Sequence, residues 1–370
     1  MAKAKKKVED TEGKGSLRDR LIKNSTISET SILKDSIYFQ KDMIVTEVPA
    51  VNIACSADSD GGFTPGLGVV AGPSKHFKTG LLLILARSFL KKNPDGLILF
   101  YDSEFGSPAS YFESFDIPSD SVVHTPIVNI EKLMFDMAAQ LDGLERGDKV
   151  MIIIDSIGNL ASKKEAEDAL AGESKRDMTR AQALKSLFRV VTPYLTLKDI
   201  PCIAVNHTYK TLEMYAKDVV SGGQGPYLSA DWIWIVGRQQ ETEKEDNKNV
   251  LTGYNFMIKI EKSRFVKEKS IIPLSVSFET GINRYSGLFE MALEAGFLSK
   301  VGKGSYSWIH PDGVVDEVEY SEDELKEDAA AWEELLQFDG FKKWIRNKYS
   351  LNLDGKKMLK KIGEVEVQDE

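Results

Sequence analysis

The sequence has little cysteine: Cys55 and Cys202 are the only two among 370 residues. Both lie in apolar segments, so we expect buried thiols in a reducing compartment, and the count argues against a disulfide framework. The sequence also lacks an apolar run of about 18 residues, which excludes a membrane-spanning helix. The basic N-terminus is not followed by the apolar core of a signal peptide. We therefore expect a cytoplasmic protein.

An excess of positive charge is also absent, since the formal net charge is −9. The charge is distributed unevenly, however. Residues 1–24 carry eight basic and four acidic side chains, whereas residues 311–370 carry nine basic and seventeen acidic ones. Because the acidic excess is concentrated near the C-terminus, the remainder is almost neutral, and net charge alone does not exclude a nucleic-acid partner. No internal repeat is present.

The centre of the chain alternates short apolar runs with helical patterns. Apolar runs without polar alternation are typical of strands buried on both faces, as in a parallel sheet covered by helices. The predicted strands are Leu67–Ala71, Leu97–Tyr101, Val150–Ile154, Ile200–Val205, Trp232–Val236, Tyr254–Ile260 and Ile271–Phe278. Helical patterns span about 79–92, 129–145 and 177–198. The pattern predicts an α/β fold with a mostly parallel central sheet.

Composition divides the chain into four predicted regions. Residues 1–15 are polar, basic and predicted to be disordered. Residues 16–55 contain a helical pattern from Ser16 to about Ser36 and a strand pattern at 43–53. Residues 56–285 form the predicted core, and residues 286–370 a small helical C-terminal subdomain with an acidic tail region.

The most informative segment follows the first core strand and opens a helix. It consists of Gly72, Pro73, Ser74, Lys75, His76, Phe77, Lys78, Thr79 and Gly80. This matches the phosphate-loop pattern G-x-x-x-x-G-K-[ST], except that Phe77 replaces a glycine. In such a loop backbone N–H groups face the phosphates, Lys78 reaches the β- and γ-phosphates, and Thr79 holds Mg²⁺. The alternative is a chance turn that ends in Lys-Thr.

Polar residues end three of the predicted strands. Asp155 follows Val150–Ile154, where a phosphate-loop fold places an acid that holds Mg²⁺, usually through water. Glu104 lies just beyond Leu97–Tyr101 and could orient or deprotonate the attacking water. His207 follows another strand and could sense the γ-phosphate. The alternatives are a loop-starting acid, a solvated acid and a structural histidine, respectively.

A glycine-rich segment, Ser221 to Pro226, lies about fifteen residues after His207. Its composition predicts a mobile loop that does not pack as a helix or strand. Its backbone N–H groups could hold a phosphodiester chain, although ordinary loops have similar sequences.

Together these motifs resemble the RecA-type strand-exchange recombinases, and most closely their bacteriophage branch, the UvsX-type recombinases. The segments that carry the resemblance are 72–79, 100–104, 155–165, 206–209 and 261–269. The resemblance runs from about Leu17 to Trp308, and the phage branch itself has phenylalanine at the position of Phe77. It implies a RecA-like P-loop ATPase core.

The resemblance assigns further roles. Glu104 matches the catalytic glutamate, and Tyr111 falls where bacterial RecA stacks a tyrosine on adenine; the alternative is an ordinary aromatic. His207 replaces a glutamine that senses the γ-phosphate and connects it to a DNA-binding loop. Lys262 and Arg264 match two lysines that reach the ATP of the neighbouring subunit, although on sequence alone such a pair is typical of a solvated face.

The resemblance also implies two disordered DNA-binding loops, at about 157–178 and 208–230. Neither is basic overall, so binding would depend on selected residues and on summation over subunits. The candidates are Lys163, Lys164, Lys175, Arg176, Lys210, Gly222 and Gly223. Residues 16–55 would dock onto the adjacent protomer. The acidic C-terminal region would restrain duplex binding, or be a solubilising tail.

The implied function is ATP-dependent homologous recombination and repair, by a DNA-dependent ATPase that uses ATP and Mg²⁺ and forms helical filaments on single-stranded DNA. Expected partners are single-stranded and duplex DNA, other copies of the chain, a phage single-strand-binding protein and a loading mediator, in the host cytoplasm. The alternatives are a hexameric RecA-fold helicase and a non-hydrolysing ATP-binding accessory factor. Closed rings would favour the first, and undetectable turnover with saturating DNA the second.

Overall fold

The computed structural model describes residues 16–172, 179–211, 216–245, 248–310 and 313–351. The chain forms two compact units, one ending at Lys41 and one beginning at Asp42. The α-helices are α1 (Leu17–Lys23), α2 (Pro49–Ser56), α3 (Lys78–Lys92), α4 (Ala109–Glu113), α5 (Ile130–Gly143), α6 (Lys163–Leu170), α7 (Thr179–Lys198), α8 (Gln224–Ser229), α9 (Leu288–Ala295), α10 (Glu322–Glu327), α11 (Ala329–Gln337) and α12 (Asp339–Tyr349). The strands are β1 (Gly66–Ala71), β2 (Leu97–Asp102), β3 (Val122–Pro126), β4 (Val150–Asp155), β5 (Pro201–Asn206), β6 (Thr208–Lys210), β7 (Asp218–Val220), β8 (Trp232–Glu245), β9 (Lys248–Lys262), β10 (Ile271–Ser277), β11 (Gly281–Ile282), β12 (Leu298–Lys300), β13 (Ser305–Trp308) and β14 (Tyr320–Ser321).

A nine-stranded sheet is the centre of the larger unit, in the order β11-β10-β9-β8-β1-β5-β4-β2-β3. The six strands from β8 to β3 are parallel, and β9, β10 and β11 continue the sheet in antiparallel pairs. All seven predicted strands form, and the prediction of a mostly parallel sheet is confirmed. Unbroken apolar runs predict a parallel sheet because its inner strands are buried on both faces, and β1 and β5 are indeed buried at every position.

Helices cover both faces of this sheet. Successive strand residues point to opposite faces, so Val70 and Ile153 belong to the core under α3, whereas Val69 and Ile152 belong to the core under α5 and α7. Cys55 and Cys202 are buried, unpaired thiols, as predicted. Among the described residues no helix is both long and apolar enough to cross a membrane.

The strand predicted at 43–53 is wrong. Ile44 makes a single bridge to Phe63, and the chain then turns into α2. Proline suits the first turn of a helix, and Pro49 occupies it, while every residue from Pro49 to Cys55 is buried. A segment buried on all sides has no amphipathic period, so its sequence does not distinguish helix from strand.

The helical pattern predicted from Ser16 to about Ser36 also proves too long. The α-helix ends at Lys23, and the rest contains only a 3₁₀ turn at Leu33–Asp35. Ser25 explains the break, because its hydroxyl group binds both the N–H and the carbonyl of Ile27 and so competes with helical hydrogen bonds. The predicted disorder of residues 1–15 lies outside the described residues.

The C-terminal region is helical as predicted, but it also contains a three-stranded sheet of β12, β13 and β14 that the sequence did not predict. Trp332 and Phe341 are buried in the same core as the α3 face of the large sheet. Two ion pairs, Lys342–Asp60 (2.6 Å) and Arg346–Asp58 (2.7 Å), join α12 to the loop after α2. The boundary at 285/286 remains a prediction.

Candidate functional site

The phosphate loop joins the buried β1 to α3. Lys75 and Phe77 have positive φ angles, +61° and +55°, which curl the backbone ahead of the helix. The ammonium group of Lys78 donates to the carbonyl of Pro73 at 2.8 Å, and burial lowers its pKa. His76 Nδ1 lies 2.8 Å from the Ser74 carbonyl oxygen. The first N–H groups of α3 have no partner inside the helix, as at every helix N-terminus, and are therefore available to an anion.

Phe77 occupies the glycine position of the pattern by packing away from the loop. Its ring stacks on Phe256 of β9, with centroids 5.1 Å apart. A Cβ atom on Gly80 would lie 2.4 Å from the Phe77 ring, so any larger residue there would have to displace the ring. The loop therefore keeps its shape by anchoring one side chain in the core.

Thr79 and Asp155 meet at the end of the loop. The Thr79 hydroxyl group donates to Asp155 Oδ2 at 2.7 Å, and Asp155 lies at the carboxyl end of β4. Burial raises the pKa of Asp155 to about 6. Its second oxygen, Oδ1, is buried and accepts no hydrogen bond from the described residues. An unsatisfied buried carboxylate oxygen beside a threonine hydroxyl group fits the oxygen-rich surroundings that Mg²⁺ prefers.

Glu104 lies beyond the end of β2 and faces three donors. Its Oε1 accepts hydrogen bonds from the Ser156 hydroxyl group (2.6 Å) and the Asn159 amide (3.0 Å), and lies 3.2 Å from His207 Nε2. The hydrogen bond with His207, followed by that with Ser156 and by the positive charge of Lys78, lowers the pKa of Glu104 to about 2. The carboxylate is therefore ionised at neutral pH and fixed in position. The sequence did not assign Ser156 or Asn159, although both lie in the motif after Asp155.

Asp102, buried at the end of β2, holds the turn that carries Glu104. Its Oδ1 accepts from the backbone N–H groups of Glu104 (3.0 Å) and Phe105 (2.7 Å). His124 Nε2 of β3 lies 3.2 Å from the other oxygen of Asp102. The sequence did not reveal this support, because His124 comes from a strand that the apolar pattern did not predict.

His207 follows β5 and is in contact with both the site and the next segment. Its ring meets Glu104 on one side, and its carbonyl oxygen accepts from the N–H of Ser221 at 2.9 Å. A Cβ atom on Gly158 would lie 2.3 Å from His207 Cδ2, so the histidine ring packs on the backbone of the segment after β4. The position predicted for a sensor is thus connected to both predicted DNA-binding segments.

Tyr111 lies in α4, half-buried, with its ring edge-on to Phe115 at 5.5 Å between centroids. Burial and the nearby charge of Asp155 raise its pKa. Tyr111 therefore lies within electrostatic range of the carboxylate at the end of β4. Its stacking on adenine remains a prediction.

Lys262 and Arg264 are bound elsewhere in the same protomer. Lys262 Nζ donates to the carbonyl of Tyr227 in α8 at 2.6 Å, and Arg264 Nε donates to Asp231 at 2.5 Å. The protomer does not bring these two side chains to its own Glu104. Their role at a neighbouring site remains a prediction.

The first predicted DNA-binding segment, 157–178, is not wholly irregular. Residues Lys163–Leu170 form α6, whose Ser162 caps the helix with Glu165 in a capping box. Lys163 lies near Glu167 (3.7 Å), and Lys164 is exposed. Lys175 and Arg176 lie outside the described residues.

The second predicted segment, 208–230, also contains regular structure. The prediction that Ser221–Pro226 is a mobile loop is wrong for its second half, because α8 begins at Gln224 and buries Gly225 and Pro226. Gly225 allows this, since its Cα lies against the backbone of Lys185 in α7. Gly222 and Gly223 have positive φ angles of 92° and 70°. Lys210 pairs with Asp218 at 3.0 Å.

Comparison with known proteins supports the resemblance that the motifs suggest. Over 292 residues the chain is 50% identical to the "Recombination and repair protein" of Enterobacteria phage T4, covering 79% of this chain and 74% of that protein. The chain belongs to the RecA-type recombinases, in their phage branch. It is also 24% identical to the "Protein RecA" of Streptomyces rimosus over 266 residues (70% of this chain, 67% of that one) and to that of Arthrobacter sp. over 286 residues (76% of each). No protein-family model matches the chain.

RecA-type recombinases are in general DNA-dependent ATPases that use ATP and Mg²⁺ and assemble as homo-oligomers on DNA. The mixed sheet and phosphate loop of this chain are those of a RecA-like core. Lys78, Thr79, Glu104, Asp155 and His207 come from four strand ends and converge at one edge of the sheet, where open α/β folds bind their ligands.

Proposed function

We propose that this protein is an ATP-dependent recombination and repair protein that forms helical filaments on single-stranded DNA and catalyses homologous pairing and strand exchange. The observation that carries the proposal is the convergence of Lys78, Thr79, Glu104, Asp155 and His207 at one sheet edge. It is supported by the 50% identity to a phage protein named for recombination and repair.

Each residue has a defined part in the proposed ATPase. The α3 N-terminus and Lys78 would bind the phosphates, and Thr79 and Asp155 would hold Mg²⁺, which would neutralise phosphate charge. Glu104, ionised and held by Ser156, Asn159 and His207, accepts a hydrogen bond from the attacking water and orients it. Tyr111 would contact the base, in keeping with the effect of the Asp155 charge on the Tyr111 pKa.

Nucleotide and DNA binding are coupled in this proposal through His207. A γ-phosphate that competes for the His207 ring would change its contact with Glu104, and the movement would reach Ser221 through the backbone hydrogen bond. Binding of nucleotide would therefore change the position of Ser221 and of the start of the glycine-rich segment, and by linkage DNA would raise the affinity for nucleotide. The proposed partners are single-stranded and duplex DNA, further copies of the chain, a phage single-strand-binding protein and a loading mediator.

The experiment that tests this function is steady-state ATP hydrolysis with and without single-stranded DNA, with the same samples viewed by negative-stain electron microscopy. We expect DNA-stimulated turnover together with extended helical filaments. Stimulated turnover with closed rings would instead indicate a hexameric helicase. Absence of both turnover and filaments would leave an ATP-binding accessory factor.

A further inference from the structure

Arg180, in the first turn of α7, is bound to the segment that follows β4. Its Nε donates to the carbonyl of Leu160 at 2.8 Å, and its Nη2 donates to those of Ile157 (3.1 Å) and Gly158 (2.7 Å). The guanidinium group is half-buried, and this burial lowers its pKa. One planar group therefore satisfies three carbonyl oxygens of a segment that has no regular secondary structure of its own.

The same guanidinium group faces the start of the second segment. Its Nη1 lies 3.5 Å from the Ser221 hydroxyl oxygen. Ser221 is itself fixed to the end of β5, because its N–H donates to the His207 carbonyl (2.9 Å) and its carbonyl accepts from the Asn206 amide (2.8 Å). Arg180 thus lies between the two segments that are proposed to bind DNA.

Gly158 extends this arrangement to the nucleotide site. It is one of the three residues that Arg180 binds, and it is also the residue on which the His207 ring packs. His207 in turn contacts Glu104 at 3.2 Å. A continuous set of contacts therefore runs from Arg180 to the carboxylate proposed to orient water.

We propose that Arg180 is a positioning residue that holds the segments 157–160 and 221–223 in register with each other and with His207, and thereby couples DNA binding to ATP hydrolysis. The inference rests on the proposed function and adds a residue that no motif of the sequence singles out. Arg180 touches neither the phosphate loop nor Asp155, so it acts through the two segments and through His207.

The test compares Arg180→Ala and Arg180→Lys with Arg189→Ala, an exposed arginine of the same helix. Wild type and variants are assayed for the concentration of single-stranded DNA that gives half-maximal ATPase stimulation, for the KM for ATP and for binding of a fluorescent ATP analogue. Thermal unfolding is recorded for each. Because Arg180→Ala leaves three carbonyls without their charged donor, we expect half-maximal stimulation to require about tenfold more DNA.

We expect the KM for ATP and the affinity for the analogue to change less than about twofold, since Arg180 does not touch the phosphate loop. Lysine offers one ammonium group instead of a planar fork, so Arg180→Lys should require an intermediate DNA concentration for half-maximal stimulation. Arg189→Ala should require the same concentration as the wild type. If DNA stimulates the ATPase of the wild type, but the Arg180 variants need no more DNA than Arg189→Ala, the inference about Arg180 is overturned and the proposed function is not. If Arg180→Lys lost affinity for DNA and for nucleotide to the same extent, the role of Arg180 would be a general structural one, and the inference would again be overturned. A wild type without stimulation would overturn the proposed function and the inference with it.

Discussion

The residue that departs most from the phosphate-loop pattern, Phe77, is explained by its neighbours. A positive φ angle normally favours glycine, and Phe77 adopts one at +55°. The cost is offset by stacking on Phe256, and the ring occupies the space that a Cβ atom on Gly80 would need. Loop shape and core packing therefore depend on each other at these two positions.

Because the two positions depend on each other, substitutions at Phe77 and Gly80 should have non-additive effects, which a double-mutant cycle measures. Gly80→Ala should displace the Phe77 ring and weaken binding of a fluorescent ATP analogue about fivefold or more. In the Phe77→Ala background Gly80→Ala should have little effect on binding, because the ring is gone. The coupling free energy between the two substitutions should therefore be about 1 kcal/mol. Gly143→Ala, at a helical site with nothing within 4 Å of the new Cβ, is the matched control. Additive effects would contradict the explanation.

Asp155 gives a prediction for pH. Burial raises its pKa to about 6 from the ordinary 3.8, so the folded protein binds a proton more tightly than the unfolded chain. Stability therefore falls as pH rises from about 4 to 6, and above that range the buried charge destabilises the fold in full. Without Mg²⁺ or nucleotide, Asp155→Asn should stabilise the protein at pH 8 by about 3 kcal/mol.

The measurement is denaturant unfolding at pH 8 and pH 5, in a chelator. The gain from Asp155→Asn should be clearly smaller at pH 5, where the wild-type carboxyl group is largely protonated. Asp120 is an exposed carboxylate, so Asp120→Asn should leave the free energy of unfolding unchanged at both pH 8 and pH 5. An equal gain at both values of pH would show that charge burial is not its cause.

At the scale of elements, the strands were predictable and several shorter elements were not. β1, β2, β4, β5 and the first residues of β8 are almost wholly buried and so have unbroken apolar sequences. β9 and β10 are antiparallel, and their buried residues recur at alternate positions over much of the predicted runs. β3 is a parallel strand at the edge of the sheet with no buried residue, and β12 to β14 are short, so none of them forms an apolar run. α2 is buried on all sides, and its composition fits a strand equally well.

The site follows the same division. Lys78, Thr79, Asp155, Glu104 and His207 were predictable because parallel strands bring their carboxyl ends to one edge. The supporting residues Asp102, His124 and Arg180 were not, since their roles depend on contacts across 20 to 41 residues of sequence with no fixed spacing. Such contacts are visible only once the tertiary structure is known.

The packing of α8 on α7 predicts the effect of one methyl group. A Cβ atom on Gly225 would lie 2.8 Å from Lys185 Cα and 2.9 Å from Lys185 N, both backbone atoms that cannot rotate away. Gly225→Ala should therefore separate the helices, with a loss of stability of about 1–3 kcal/mol and weaker binding of single-stranded DNA. Unfolding and fluorescence anisotropy measure the two effects. Gln224→Ala, exposed and adjacent, should have neither, and a stable Gly225→Ala protein would refute the close approach.

At the scale of the whole molecule, one protomer holds an incomplete set of the predicted catalytic groups. Glu104 and His207 lie together, whereas Lys262 is bound to the carbonyls of α8 and Arg264 to Asp231. In a head-to-tail assembly each site would combine Glu104 of one subunit with Lys262 of the next. Activity would then require assembly, because no single protomer completes a site.

Mixing two inactive variants tests this arrangement. Glu104→Ala and Lys262→Ala should each abolish most DNA-stimulated turnover, but a one-to-one mixture should regain it. With random order, roughly a quarter of the head-to-tail interfaces have both intact groups, so about a quarter of wild-type activity should return.

The matched control is a mixture of Glu104→Ala with His207→Ala. Because Glu104 and His207 contact each other within one protomer, neither subunit of that mixture can complete a site with its neighbour, and no turnover should return. A Glu104→Ala and Lys262→Ala mixture that remains at the level of this control would place Lys262 outside the neighbouring site. The hydrogen bonds of Lys262 to α8 would then be its whole role, and each protomer would have to hydrolyse ATP with its own groups alone.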